Sequence, residues 1–201
     1  MKFVLFSDIH CREDLCISII EKSKTADVAI GAGDFASFRH GLPKVMAVLT
    51  QIAIPTILVP GNHESQAELI AACKGVDHFH VLHGDTIRIH GQDFAGLGYG
   101  IPETPFGSWS VDFSDQEAWI QLPQTDERCV LVTHSPPYGC LDRMPVEGHM
   151  GSKSIRTYIE QKRPHFVVCG HIHENWHQMD QVEDIPIINA GPFGYDFEYH
   201  F

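Results

Sequence analysis

The chain has 201 residues, 43% of them hydrophobic, which suits one large domain with a core that needs no disulfides and excludes collagen-like, low-complexity and disordered classes. Fourteen basic residues against 26 acidic ones leave a formal charge of −12, with no run of Lys or Arg. A phosphate backbone is read by clustered positive charge, so a long nucleic acid is excluded as the expected partner, while small anions remain open if a metal supplies the charge.

In chain order, Phe3-Val4-Leu5-Phe6 is an apolar run that stops at Ser7-Asp8. It is too short for a signal peptide and predicts a first strand. Residues 13–24 place Leu15 with Ile19 and Cys16 with Ile20 at helical spacing, and residues 65–74 repeat this with Ala67, Ile70 and Ala71. Between these helices lie two further apolar runs, Val28 to Gly33 and Ile57 to Gly61. Phe79–Leu82, Thr86–Ile89 and Asp93–Leu97 are short segments separated by Gly84-Asp85 and His90-Gly91-Gln92, which predicts hairpins in an antiparallel portion of sheet. Val130 to Thr133 and Phe166 to Gly170 bracket a helical pattern over 152–162, carried by Ile155 and Ile159. The end, Tyr195 to Phe201, alternates with period 2 as a closing strand would. Alternation of β-branched runs with helical patterns predicts an α/β fold, and the absence of repeats or linkers predicts a single domain over 1–201.

No apolar stretch approaches the roughly 20 residues of a membrane span. The six cysteines form no CxxC pair, and Cys129 and Cys169 sit at the ends of apolar runs. Both features predict a soluble cytoplasmic protein with reduced thiols.

The informative pattern lies where the apolar runs end. They lead, in order, into Asp8-Ile9-His10, into Asp34 after Gly33, into Asn62-His63-Glu64 after Gly61, into His134, and into His171-Ile172-His173 after Gly170. In open α/β sheets the ligand site lies at the carboxyl ends of the strands, and here five strands deliver polar side chains to one edge. In extended backbone, residues i and i+2 point the same way, so each x-spaced pair is expected to aim at one cavity. The glycines are expected to permit tight turns or close approach. Asp8, His10, Asp34, Asn62, His134, His171 and His173 make a mixed imidazole and oxygen donor set that suits Mn²⁺, Fe or Zn²⁺. Seven candidates are too many for one such ion. They suit two, about 3.5–4 Å apart and sharing a carboxylate, the arrangement used for in-line phosphoryl displacement.

These residues resemble the calcineurin-like metallophosphoesterases, whose pattern is Asp-x-His, Gly-Asp, Gly-Asn-His-Asp/Glu, a His, then Gly-His-x-His. Here the pattern stands as Asp8-Ile9-His10, Gly33-Asp34, Gly61-Asn62-His63-Glu64, His134 and Gly170-His171-Ile172-His173. The resemblance implies a four-layer αββα sandwich with two mixed β-sheets and a dinuclear metal site at the strand ends. It implies that Asp8, His10, Asp34 and His173 hold one ion, and that Asp34 bridges to a second held by Asn62, His134 and His171. It further implies two divalent ions, Mn²⁺ first with Fe or Zn²⁺ as alternatives, and hydroxide between them attacking a small phosphoester. His63 is the candidate general acid, and Glu64 is expected either to orient it or to serve a helix start. Gly33-Asp34 continues as Phe35-Ala36-Ser37-Phe38-Arg39, without the Asp-Arg pair of the Ser/Thr protein phosphatases. The segments after Thr133 and Gly148 look more like the small metallophosphodiesterase branch, so a phosphodiester is the expected substrate. A phosphomonoester, a nucleotide pyrophosphate or a non-catalytic scaffold role are the alternatives, and no protein partner is indicated.

Two long loops complete the expectations. Residues 135–152 are read either as a wall of the substrate pocket, with Arg143 or His149 touching phosphate or leaving group, or as a covering loop with solvated charges. Residues 98–109 carry Tyr99, Phe106 and Trp109, for which core or surface packing is the first reading and a stacking surface the alternative. Arg12 is read as an exposed first-turn residue, with a phosphate contact as the alternative, and Cys11, the His78/His80 pair and His200 are given no role at the site.

Overall fold

The computed structural model describes residues 1–125 and 128–201. The first sheet is formed by β1 (Lys2–Phe6), β2 (Val28–Gly31), β3 (Thr56–Leu58), β4 (Phe79–Val81) and β13 (Tyr195–Glu198), in the order β13-β1-β2-β3-β4. Strands β1 to β4 are parallel and β13 closes the edge antiparallel to β1. The second sheet has a parallel centre of β6 (Gln92–Leu97), β7 (Val130–Thr133), β10 (Val167–Cys169) and β12 (Ile185–Asn189), with β5 (Asp85–Ile89) and β11 (Gln178–Val182) as antiparallel edges. Its order is β11-β12-β10-β7-β6-β5. Both sheets are therefore mixed.

Period-2 alternation explains how the sheets stack. In β1, Phe3 and Leu5 join Val28, Ile30, Phe94, Val130, Val132, Phe166 and Val168 in a core between the sheets. Val4 and Phe6 face the other way, onto Cys16 and Ile19 of α1 (Glu13–Ser23) and Val45, Met46 and Leu49 of α2 (Leu42–Leu49), with Leu69 of α3 (Gln66–Ala72) in the same cluster. In the second sheet, Leu131, Val167 and Cys169 turn outward onto Ala118 of α4 (Asp115–Gln121) and Ile155, Tyr158 and Ile159 of α5 (Lys153–Lys162). Helices, sheet, sheet and helices form the four-layer αββα sandwich that the family resemblance implies. The inner parallel strands β2, β3, β7 and β10 are buried on both faces, as parallel sheets require.

One local reading needs correction, and two helices carry no reading in the sequence analysis. The segment at Gly84-Asp85 is not a hairpin turn. Strand β4 runs parallel to β3 in the first sheet, and the chain crosses there into β5 of the second; of the two separators, His90-Gly91, with φ of 50° and 82°, is the one that turns a hairpin, between β5 and β6. Helix α2 was not anticipated, although Leu42, Val45, Met46 and Leu49 repeat at i, i+3, i+4 and i+7 and are all buried. Helix α4 is short, with Ala118 as its buried residue, and is specified instead by the Ser114–Glu117 capping box. Five cysteines are buried, Cys11 is half-buried, and all six are free thiols. Among the described residues no helix is long and apolar enough to cross a membrane.

Candidate metal centre

The five polar strand ends meet. Backbone bonds lace the segments beyond β1 and β2 together: Asp8 N–H donates to Gly33 O at 2.9 Å and His10 N–H to Asp34 O at 3.0 Å. Gly170 N–H donates to His134 O at 2.9 Å, joining the ends of β10 and β7. The donors do not, however, lie in extended backbone. Asp8, His10, Asp34 and His171 have φ of 53°, 47°, 58° and 69°, so each sits in a left-handed turn past its strand. Such strain in non-glycine residues persists where the surroundings over-determine it, commonly at functional sites. Extended backbone is therefore not what aims these pairs: Asp8 and His10 still share one group of donors, and His171 and His173 line one cavity but go to different groups.

Those groups are Asp8 with His10 and His173, and Asp34 with His134 and His171. In the first, His10 Nε2 lies 3.2 Å from His173 Nε2, and His173 Nε2 lies 3.7 Å from Asp8 Oδ1. In the second, His134 Nε2 lies 3.4 Å from Asp34 Oδ2, 3.2 Å from His171 Nδ1 and 3.1 Å from Asn62 Oδ1. Asp34 Oδ2 is also 3.7 Å from His10 Nε2, which sets this one oxygen between the two groups. Ligands at about 2.1 Å from one ion stand some 3 Å or more apart, so the spacings fit divalent metal.

The ring orientations fit as well. His134 Nδ1 donates to Ala32 O at 2.7 Å and His10 Nδ1 to Ala36 O at 3.2 Å, which leaves each Nε2 lone pair turned to the other donors. Metal-binding histidines are held this way. His63 differs. The Phe38 N–H donates to its Nδ1 at 2.8 Å, so Nε2 carries the proton, 3.8 Å from Asp34 Oδ2. A nitrogen that holds a proton is not a ligand, so although His63 is within reach of His10 and Asp34, its tautomer assigns it another task.

The electrostatics of the site follow from burial and from the charges its own side chains place on one another. Asp34 is fully enclosed, yet the charges of His134, His63 and His10 hold it below the usual carboxylate range. Burial works against a charged His134, but Asp34 outweighs it and lifts this side chain to about 9. Burial and the neighbouring His134 charge push His171 well below the imidazole range, and burial also lowers His63.

Further residues hold this arrangement, and of these Trp176 and Ser110 carried no signal in the sequence. Glu64 neither orients His63 nor starts a helix; Ser65 caps α3, in a capping box with Glu68. Instead Glu64 is buried and accepts from the backbone N–H groups of Asp34, Ala36 and Gly61 at 2.8–2.9 Å, with Phe35 at 3.4 Å. It clamps the Asp34 turn to the end of β3. Burial and the charge of Asp34 raise it to about 7. Trp176 donates from Nε1 to Asp8 Oδ2 at 3.1 Å and lays its ring on His173, centroids 4.3 Å apart. Ser110 accepts from Asn62 Nδ2 at 2.9 Å, which turns Asn62 Oδ1 toward His134. At Gly61 a Cβ would meet Asp34 Oδ1 at 2.0 Å, so only glycine allows that approach.

Of the two loops, 135–152 is partly ordered as a small hairpin of β8 (Arg143–Met144) and β9 (Gly148–His149). Met144 lines the cavity at the donors, whereas Arg143 and His149 do not, and His149 binds Asp142 at 2.7 Å. Phe106 and Trp109 line that cavity, and Tyr99 packs on His83 and Phe113 instead. Arg12 pairs with Asp14 in solvent, His200 is exposed, and neither Cys11 nor the His78/His80 pair belongs to a donor group.

The sequence pattern of the calcineurin-like phosphoesterase superfamily domain matches residues 1–199. The chain belongs to this superfamily. Its members use a dinuclear divalent metal site and hydrolyse phosphoric esters, and the donor groups above are the candidate ligands. Among curated relatives, uncharacterized protein MJ1162 of Methanocaldococcus jannaschii is 29% identical, over 97% of this chain and 90% of its own. UPF0046 protein K07C11.7 of Caenorhabditis elegans is 31% identical, over 87% of this chain and 64% of its own. Metallophosphoesterase domain-containing protein 1 of Homo sapiens is 25% identical, over 87% of this chain and 61% of its own. The chain thus spans under two thirds of the length of these last two. The fold is shared with TT1561 of Thermus thermophilus, at a TM-score of 0.78 and 15% identity, covering 96% of this chain and 89% of that one. A dimetal phosphatase from Danio rerio has the same fold, at a TM-score of 0.63 and 13% identity over 94% and 86%.

Proposed function

We propose that this phosphoesterase holds two Mn²⁺ ions, with Fe or Zn²⁺ as alternatives of the same donor chemistry, and hydrolyses a small phosphodiester. The observation that carries this reading is Asp34 Oδ2 between the His10/His173 and His134/His171 groups. Asp8, His10, Asp34 and His173 would hold one ion, and Asp34, Asn62, His134 and His171 the other. When bound, the ions supply positive charge for the phosphoryl oxygens and make water a stronger nucleophile at neutral pH.

The remaining work falls to His63. With Nδ1 occupied by the Phe38 N–H and burial holding the ring below the usual imidazole range, His63 presents a neutral Nε2–H to the cavity. It donates that hydrogen bond to the departing oxygen and stabilises the negative charge that develops there. A diester is favoured over a monoester because, among the described residues, no arginine or lysine lines the cavity; a singly charged phosphate asks less of the site than a doubly charged one. The same lack of cations, with the net charge of −12, favours a small substrate over a long nucleic acid.

The test is removal of metal by chelation, return of Mn²⁺, and comparison of bis-4-nitrophenyl phosphate with 4-nitrophenyl phosphate, beside His63→Ala and Asp34→Asn. Metal-dependent cleavage of the diester, lost in both variants, is expected. Preference for the monoester overturns the substrate class, and no turnover of either ester with ions bound overturns the hydrolase reading.

A further inference from the structure

The cavity that meets the donors measures 480 Å³, within the range of small-molecule pockets. One side is the metal centre, and much of the rest is apolar: Phe38, Phe106, Trp109, Met144 and Ile172. Trp109 packs on His63 with centroids 4.6 Å apart, meets Phe38 edge-on at 4.7 Å, and stacks on Phe106 at 5.4 Å with planes inclined by only 12°. The aromatic surface is therefore continuous with the side chain that faces the departing oxygen. It is also left open: Phe38 is 56% exposed and Phe106 50%.

Open aromatic rings beside a polar centre need a reason, and the backbone adds one. Phe38 and Arg39 both lie in the left-handed region, with φ of 49° and 68°. Two bonds to one residue hold this turn, Phe38 N–H to His63 Nδ1 at 2.8 Å and Arg39 N–H to His63 O at 3.1 Å. Strain in a bulky residue with an exposed ring is of no benefit to packing, and it fixes that ring at the cavity mouth.

Charge narrows the ligand further. Beyond the donors, Glu174 is the one charged side chain that lines the cavity among the described residues. A second phosphate or a carboxylate on the organic group would meet a negative side chain and no cation, whereas a flat uncharged group would cover the exposed rings.

We infer that Phe38, Phe106 and Trp109 form a stacking platform for the leaving group, and that the substrate is a single-phosphate ester of a flat, uncharged aromatic or heteroaromatic alcohol. This rests on the phosphoester reading above and adds to it the class of the organic group. The rings set the apparent affinity for that group, and the donor groups set the affinity for phosphate.

Binding separates the two without turnover. Methylphosphonate, 2-naphthylmethylphosphonate and the latter bearing a ring carboxylate are titrated calorimetrically into the Mn²⁺-loaded protein. The naphthyl compound is expected to bind about tenfold tighter than methylphosphonate, from stacking and ring burial, and the carboxylate to remove most of that gain. Phe106→Ala is expected to bring the naphthyl compound within about threefold of methylphosphonate, and Phe106→Trp to restore the difference. Equal affinity of the two uncharged-group ligands in the natural protein, or a preference that survives Phe106→Ala, overturns the inference. Failure of the 4-nitrophenyl esters to turn over would overturn the hydrolase reading alone, because these affinities are read without catalysis.

Discussion

The donor edge and the aromatic cavity beside it are neighbours built by different means. At the edge, Asp8, Asp34, Asn62 and His134 are buried, and backbone groups or a second side chain hold each of them. In the cavity wall, Phe38 and Phe106 are half open to solvent, and the loop carrying Phe106 and Trp109 reaches the edge through Ser110 on the Asn62 amide and Val111 N–H on Asn62 O at 3.0 Å. The chemistry is thus held by strand ends in a nearly closed network of hydrogen bonds, while the organic group would be met by loops with freedom to differ. A fold that separates the two in this way can change what it binds without disturbing what it does.

Breaking the network should cost more than trimming the loops. Glu64→Gln leaves a buried N–H facing an amide NH₂ where a carboxylate oxygen stood, so the metal-free protein is expected to lose about 1–3 kcal/mol in urea unfolding. Trp176→Phe keeps a ring on His173 but removes the bond to Asp8, and Mn²⁺ affinity should fall about tenfold by calorimetry, with stability little changed.

Proton linkage sharpens the same contrast. Unloaded His134 keeps its proton up to about 9, burial notwithstanding, because of Asp34. Its Nε2 must shed that proton to take a metal, so binding releases a proton below that pH. Affinity should rise about tenfold per pH unit from pH 7 toward 9; titrations in two buffers of different protonation enthalpy count the proton directly. Ser110→Ala frees the Asn62 amide where loop meets edge and should weaken the second ion about threefold to tenfold. Smallest of all, His149→Ala, in the loop and away from the cavity, should leave metal affinity and ester turnover within about twofold, since solvent-facing substitutions are usually near neutral.

What could be read in the sequence was what is local. Asp8-Ile9-His10 and Gly170-His171-Ile172-His173 follow apolar runs directly, so the donors could be found one strand at a time. Trp176 and Asp8 meet across 168 residues, and Ser110 and Asn62 across 48. No periodicity or motif marks such pairs. Glu64 was noticed for its place beside His63, but its partners are backbone N–H groups, which every residue except proline offers and which carry no trace in the residue string.

The sequence by itself determined the two-faced strands, the polar residues at their carboxyl ends and the inventory of imidazole and carboxylate donors. Those depend on side-chain chemistry and a two-residue period. Only the tertiary structure decided that β4 and β5 part company between the sheets, that left-handed turns rather than extended backbone present Asp8, His10, Asp34 and His171, and which donors share a group. These follow from how whole layers bury their faces against one another, a choice among long-range pairings on which local alternation is silent.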